Sequence, residues 1–225
     1  MFNVLKSDFL AARYLAFKAL SEKLSDSGFY SDTLDYAIYG VAPSMLSLAQ
    51  RACIDVLDKI AVATTELLVI PGPQENVYFS NRWLVAKKGQ PLAWDTAIRS
   101  QIETGNTAVL ALAELSLDIR EDGALHQKKA YRHASTHRFT VLHDIGCKPS
   151  RPSDCVEHCN LSDFKSHLIE SLQLARAAII YFVEMISIRE AAHKRGKELV
   201  GVMNVPSHHW IRGDAQETSP LSDHF

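Results

Sequence analysis

The residues that could do chemistry stand in one short polar stretch past the middle of the chain, residues 131–138, which read YRHASTHR. An arginine and a histidine are enough to cleave RNA without a metal. The reaction needs a base for the ribose 2′-hydroxyl proton and a cation that stabilises the phosphorane as its oxygens gain charge. His137 suits the first task because an imidazole exchanges protons near neutral pH. Arg132 suits the second because its planar guanidinium matches two phosphate oxygens.

Neighbouring residues extend this candidate site. Basic side chains on either side would contact an RNA backbone, and these candidate RNA-binding residues are Lys128, Lys129 and Arg138. His133 could orient a group or act as a second acid, which makes it a third catalytic candidate. Thr136 directly precedes His137, and we assign it a supporting role.

The spacing of these residues constrains how they could act on one helix. At about 100° per residue, Arg132 and His137 differ by about 140° around the helix axis, whereas His133 and His137 share a face. One helix would therefore hold a phosphate poorly, and two copies facing each other across a two-fold axis would complete the site. We expect a homodimer with a composite site. The same spacing also fits a solvated helix face, or a salt-bridged interface in a purely structural helical dimer.

The elements that must position this stretch are predicted to be helices. Five helices are predicted, which cover roughly residues 3–25, 44–70, 107–119, 123–143 and 162–194. Apolar residues recur at intervals of three and four in the first, second and last of them, and the third is rich in alanine and leucine. A further helical segment from Pro91 breaks near Gly105. We predict caps at Ser44 and at Ser162 or Asp163. Residues 29–39 are predicted to be an aromatic connection and residues 146–161 a polar loop, with no convincing strand. The prediction is an all-α fold, a bundle of four to five main helices.

Length and composition set the class of protein. The chain has 225 residues, of which 47% are hydrophobic, so it can bury a core. We divide it into an N-terminal helix and connection (1–40), a helical core (41–197) and a C-terminal tail (198–225), within one compact domain. Its formal net charge is −2, so any RNA must meet a local basic patch. Neither a membrane-spanning run nor a signal peptide is evident, and we predict a cytoplasmic protein without a membrane partner.

Three cysteines and a histidine in the polar loop raise the question of a metal. They are Cys147, Cys155, His158 and Cys159. Their spacing is irregular, and the adjacent His158 and Cys159 cannot easily ligate one ion, whereas structural zinc sites use short paired spacings. We therefore expect free thiols in a loop, with no metal and no cofactor.

The order of two motifs resembles the HEPN superfamily of small all-α domains. Its signature is an arginine, four to six residues and then a histidine, commonly with a polar residue after the arginine; Arg132, His133 and His137 match these positions. Residues 57–61 (LDKIA) in a long helix, followed by Phe79-x3-Trp83 and an alanine- and leucine-rich helix, resemble a bacterial HEPN branch often found beside tetratricopeptide repeats. The resemblance covers roughly residues 40–195.

This resemblance implies a homodimeric, metal-independent endoribonuclease whose products carry 2′,3′-cyclic phosphate and 5′-hydroxyl ends. It implies a role in a toxin–antitoxin module or in anti-phage defence, with RNA, a second copy and an antitoxin or regulatory protein as partners. Many relatives carry a tyrosine two residues after the motif histidine, which a nucleotidyltransferase antitoxin modifies. Here that position is Phe139, which argues against this mode of control. No repeat array precedes the domain, so we expect it to stand alone or to come from a longer chain.

Two alternatives remain open from the sequence. Asp58 and Lys59 in the LDKIA segment either form a solvated helix edge or face the catalytic helix and support Arg132 or His137. The whole domain could also be a non-catalytic HEPN-fold module that senses RNA or a nucleotide, or docks a partner protein.

Overall fold

A computed structural model describes residues 1–21, 24–34, 36–72, 77–85, 93–120, 123, 139–145 and 155–194. The helices in this part of the chain are α1 (Phe2–Leu20), α2 (Val41–Leu67), α3 (Thr96–Glu103), α4 (Thr107–Ile119) and α5 (Leu161–Lys194). The strands are β1 (Tyr30–Ser31), β2 (Ala37–Tyr39), β3 (Leu84–Val85), β4 (Ala93–Trp94), β5 (Phe139–His143) and β6 (Val156–Asn160).

The described fold is mostly helical, as predicted. The break between the third and fourth helices is confirmed, since α3 ends at Glu103 and α4 begins at Thr107. Asp95 caps α3 by accepting the backbone N–H of Ala97 at 2.9 Å. The predicted caps of the two longest helices are wrong. Helix α2 begins at Val41, before Ser44, and the Asn160 side chain accepts the backbone N–H of Ser162 at the start of α5.

The start of α2 depends on a glycine and an aspartate. Gly40, the residue before the helix, has a φ of +147°, which strongly favours glycine. Asp26 Oδ2 accepts the backbone N–H of Ala42 at 2.9 Å and so satisfies one of the free N–H groups of the first turn. Pro43 also lies in this turn, where its missing N–H costs nothing.

A main hydrophobic core forms where α2, α4 and α5 meet the segment before β3. The predicted apolar face of α2 is buried there, including Cys53, Val56, Leu57, Ile60 and Ala61. Other large side chains in this core include Phe79, Trp83, Ile98, Leu112, Phe182 and Met185. Burying a side chain of this size typically contributes about 1.5–3 kcal/mol, so this core supplies much of the driving force for folding.

The prediction that the chain lacks strands is wrong. Four strands form one sheet in the order β1-β2-β5-β6, in which β2 and β5 are antiparallel and β5 and β6 are parallel. Residues 139–143, predicted as the end of a helix, form β5, while residues 156–160, predicted as loop, form β6. Strands of two to five residues are too short to show a clear alternation in sequence, and their pairing partners lie far away in the chain.

One face of this sheet rests on the helices. Ile38, Leu142 and Cys159 from three neighbouring strands are buried against Ala16 of α1 and Phe164 of α5. Leu46, Ala49 and Leu168 complete this second hydrophobic cluster. The strands therefore form part of the same packed unit as the helices.

Helix α5 is long and apolar enough, by length and composition, to cross a membrane. Its buried residues nevertheless recur every three or four positions, and they are Phe164, Leu168, Ser171, Ala175, Ala178, Phe182 and Met185. This spacing is typical of a helix with one face in a protein core. The chain divides into a unit of residues 1–189 and a second unit of residues 190–225, of which residues 190–194 are described. The predicted division at residues 40 and 197 stays a prediction.

Candidate functional site

The predicted catalytic stretch lies outside the described residues. This applies to the catalytic candidates Arg132, His133 and His137, to Thr136, and to the RNA-binding candidates Lys128, Lys129 and Arg138. Their mutual arrangement therefore stays a prediction. These residues were predicted to lie on a helix over residues 123–143. That prediction is wrong at residues 139–143, which form a strand. The chain thus enters a strand two residues after His137.

Strand β5, which begins directly after this stretch, is held in the sheet by its neighbours. The backbone N–H of Phe139 donates to the carbonyl of Cys155 at 2.9 Å, and Phe139 pairs with Val156 of β6. The Phe139 side chain is 75% exposed. Phe139, which follows the candidate base by two residues in the sequence, is therefore a solvent-exposed phenylalanine.

Two histidines meet further along the sheet. His143 Nε2 lies 2.8 Å from His158 Nδ1, and their ring centroids are 5.1 Å apart. One ring must donate and the other accept, so this hydrogen bond requires that one facing nitrogen carries no proton. His143 is only 2% exposed. Sequence analysis missed His143, because the contact depends on the parallel register of β5 and β6, which leaves no spacing signal.

The loop cysteines do not share one environment. Cys155 is exposed, whereas Cys159 is buried against the hydrophobic cluster under the sheet. Successive strand residues point to opposite faces, so His158 and Cys159 face away from each other. No group of three potential metal ligands comes together among the described residues, and Cys147 lies outside them.

Burial makes two of the thiols poor nucleophiles. It raises the pKa of the Cys53 thiol from 9.0 to about 12. It also raises the pKa of Cys159 to about 12, helped by the negative charges of Glu157 and Asp163. The thiolate is the reactive form of cysteine, so neither residue is ready to act as a nucleophile or a metal ligand near neutral pH.

Asp58, predicted to support the site, holds the segment before β3. Its Oδ1 atom accepts the backbone N–H of Phe79 at 2.8 Å. Trp83 Nε1 in turn donates to the carbonyl of Phe79 at 2.7 Å, and the two rings make an edge-to-face contact at 5.5 Å. Asp58, Phe79 and Trp83 thus belong to one local structure. The two sequence segments that suggested a family resemblance are therefore joined in space.

Lys59, its neighbour, contacts a different helix. Its Nζ atom lies 2.7 Å from Asp8 Oδ2 of α1, and the two side chains are 49% and 32% exposed. This ion pair ties α1 to α2 at the protein surface. Both residues thus have structural partners among the described residues, and their predicted support of Arg132 or His137 stays a prediction.

Comparison with known proteins supplies the family context. A family model described as LA2681-like HEPN matches residues 1–189. The matched range includes α1, which lies outside the segment on which the sequence resemblance was based, and it also includes residues 131–138. No curated protein and no solved structure matches the chain.

Proposed function

The chain belongs to the LA2681-like HEPN family, and from that premise we propose that it is a metal-independent endoribonuclease. The observation that supports this most is that the match over residues 1–189 takes in Arg132 and His137, whose spacing is that of the HEPN ribonuclease signature. The anchored strand β5 adds support, because it gives the stretch that ends at residue 138 a firmly held neighbour.

In the proposed reaction, His137 accepts the proton of a ribose 2′-hydroxyl, and the resulting oxyanion attacks the adjacent phosphorus. Arg132 stabilises the phosphorane through its non-bridging oxygens. The bond to the 5′-oxygen then breaks, and that oxygen leaves with a proton that His133 or water supplies. The products are a 2′,3′-cyclic phosphate and a 5′-hydroxyl.

The partners follow from this chemistry. Lys128, Lys129 and Arg138 would contact the RNA backbone, with Thr136, Asp58 and Lys59 in supporting positions. A second copy of the chain would complete the site across a two-fold axis. We place the enzyme in the cytoplasm, as a toxin or anti-phage effector held in check by an antitoxin or another regulatory protein.

Incubation of purified protein with total RNA in EDTA tests the activity. Wild type should cleave, while His137→Ala and Arg132→Ala should each lose at least about a hundredfold in rate, the usual minimum for a general base. His193→Ala and Arg99→Ala are matched controls, since both residues are exposed and lie outside the stretch. Mass spectrometry of the RNA ends should find cyclic phosphates. Equal cleavage by all variants would contradict the assignment, and so would loss of cleavage in EDTA.

Mixing two inactive variants tests the composite site. If each site takes Arg132 from one copy and His137 from the other, an Arg132→Ala chain paired with a His137→Ala chain restores one working site. Random exchange of subunits should then recover about a quarter of wild-type activity. A mixture that stays inactive, although fluorescence energy transfer between differently labelled subunits shows that they exchange, would place both residues of a site on one chain.

The alternative is a non-catalytic module that senses RNA or a nucleotide, or docks a partner protein. The same assays separate it from the ribonuclease. Wild-type protein that binds RNA and leaves it intact would favour a sensor, and the proposed reaction would then be wrong.

A further inference from the structure

A groove lies between α1 and α5, and we call it the α1–α5 groove. The lining residues that are buried or half-buried are all apolar, and they are Phe9, Ala16, Leu20 and Leu172. The exposed lining residues form the edges of the groove, with Arg13 and Phe17 on α1 and Ile169, Gln173 and Arg176 on α5. Its volume is about 520 Å³, which leaves room for several apolar side chains of a partner.

Exposed apolar side chains continue this surface along α5. Ile169, Ile180 and Val183 are each between 41% and 51% exposed. Together with Arg176 they follow one another at intervals of seven, four and three residues, so they lie in one stripe along the helix. The stripe is about 21 Å long, which is the length of a partner helix of about 14 residues. It is distinct from the stripe of α5 that is buried in the core.

Both walls of the groove carry positive charge. Its charged residues are Arg13 on α1 and Arg176 on α5, and no acidic side chain lines it in the part of the chain that the structure describes. The guanidinium of Arg13 lies over the Phe17 ring, with Cζ 5.4 Å from the ring centroid. This contact restrains the arginine, while its N–H groups can still donate to a carboxylate. The groove is therefore complementary to an acidic partner.

The acidic side chains that adjoin the lining in sequence have other partners. Asp8, which precedes Phe9, lies 2.7 Å from Nζ of Lys59 on α2. Glu170, which follows Ile169, lies 3.9 Å from Nδ1 of His167 on the same helix. The carboxylates that would complement the two arginines of the groove must therefore come from a partner.

These features favour a helix over other occupants. A second copy docked through the same face would bring its own arginines against Arg13 and Arg176, because a two-fold contact pairs each patch with itself. A small ligand is mostly enclosed by its pocket and would leave Ile180 and Val183 exposed. A lipid surface is flat and does not fill a groove between two helices. An amphipathic helix with acidic flanks meets both the apolar lining and the arginines.

We propose that the α1–α5 groove is the docking site for an acidic amphipathic helix of a partner protein. The apolar side chains of that helix fill the groove and pack on the stripe of α5, and its glutamates or aspartates contact Arg13 and Arg176. This inference concerns binding alone and is independent of the proposed ribonuclease activity, so either can fail without the other.

Two fluorescein-labelled synthetic peptides of about 18 residues are the probes, and fluorescence anisotropy measures their binding to the full chain. Both carry leucine at intervals of three and four, flanked by glutamate in one peptide and by lysine in the other. The wild-type chain should bind the glutamate peptide about tenfold more tightly, because two attractive charge contacts replace two repulsive ones. Arg13→Glu/Arg176→Glu should reverse this preference, a result that unfolding cannot produce.

A second variant tests the apolar stripe. Ile169→Ala/Ile180→Ala should weaken binding of the glutamate peptide about fivefold or more, since it removes two side chains from the contact. Leu34→Ala is its matched control, because Leu34 is 89% exposed and lies outside the groove. Arg99→Glu/Lys194→Glu is the control for charge, because it reverses two exposed cations elsewhere. Both controls should bind the glutamate peptide as the wild-type chain does.

Several outcomes would overturn the inference. They are equal binding of both peptides by the wild-type chain, binding of neither, a wild-type preference in Arg13→Glu/Arg176→Glu, or controls that weaken binding as much as the groove variants. A lower molar mass of Ile169→Ala/Ile180→Ala than of wild type in light scattering would make a second copy the occupant. Binding to phosphatidylglycerol vesicles that Arg13→Glu/Arg176→Glu loses would make a lipid surface the occupant.

Discussion

The carboxylate of Asp58 accepts the backbone N–H of Phe79 at 2.8 Å, and this bond joins the middle of α2 to the segment that leads into β3. The backbone carbonyl of Phe79 accepts the indole N–H of Trp83. Phe79 is thus held at both its N–H and its carbonyl, and two large aromatic side chains of the main core are fixed together.

Substituting Asp58 should therefore destabilise the protein more than substituting Lys59. Asp58→Ala removes a charged acceptor from a half-buried N–H and should lower the free energy of unfolding by about 1–3 kcal/mol. Asp58→Asn keeps an acceptor and should lose less. Lys59→Ala breaks only a surface ion pair and should cost below about 1 kcal/mol. Urea denaturation measures all three, and equal losses at both positions would contradict the structural role of Asp58.

RNA cleavage per folded molecule tests the remaining prediction for these two residues. If Asp58 or Lys59 supports Arg132 or His137, substitution should reduce kcat under conditions where every variant is fully folded. If the two residues act only through Phe79 and Asp8, kcat should stay at the wild-type value. Lys59→Ala is the cleaner reporter, because it changes stability little.

Gly40→Ala should destabilise the start of α2. A Cβ atom at Gly40 would lie 2.6 Å from Asp26 Oδ2, and the φ of +147° is strained for any other residue. We expect a loss of about 1–3 kcal/mol. Gly72→Ala isolates the strain, because Gly72 has a φ of +136° and a Cβ there would meet no described atom within 4 Å. Gly28→Ala, with an ordinary contact at 3.7 Å, should be nearly neutral. A Gly40→Ala protein as stable as Gly28→Ala would show that Asp26 does not hold this turn.

The long helices were predictable because their signal is local. Residues such as Val56, Ile60 and Ala63 lie on one face of α2, and their spacing can be read from this segment alone, without knowledge of the tertiary structure. The strands were not predictable, since Ile38 pairs with Leu142, which lies far away in the sequence. The Asp58–Phe79 bond was equally hidden, although both residues lie in segments noted from the sequence, because one partner is a backbone group.

The His143–His158 contact should appear as an energetic coupling. In a double-mutant cycle, His143→Ala, His158→Ala and the double variant should give an interaction energy of about 0.5–3 kcal/mol, because the two rings share one hydrogen bond. His143→Ala should be the more costly single change, since that ring is 2% exposed. Additive losses within about 0.3 kcal/mol would mean that the bond contributes nothing to stability.

The buried thiols should resist alkylation. In native protein at pH 8, iodoacetamide should label Cys155, which is exposed, and leave Cys53 and Cys159 unmodified until denaturant is added. Peptide mass spectrometry identifies each site. Labelling of Cys159 at the rate of Cys155 would contradict its burial under the sheet.

The same thiols should make stability fall at high pH. Their pKa is raised from 9.0 to about 12 by folding, so between these values the unfolded chain has released protons that the folded chain retains. The two buried thiols therefore contribute their full stabilisation below pH 9.0. As the pH rises above 9.0, this stabilisation is lost and the free energy of unfolding decreases. A Cys53→Ala/Cys159→Ala variant should show a shallower decline than wild type between pH 9 and pH 11 in urea titrations. An identical slope would contradict the prediction.

The sheet described above also sets the order in which this protein can mature during synthesis. Ala37 and Ile38 pair with His143 and Leu142, and β5 in turn pairs with β6. The sheet therefore cannot form until residue 160 has left the ribosome. Such distant pairing is slow to form compared with helices. Helices α1 to α4 precede β5 in the sequence and can therefore form early, while Phe139 takes its place in the sheet only after β6 has been made. If the proposed ribonuclease activity depends on this sheet, a nascent chain would lack the activity until the residues of β6 have been translated.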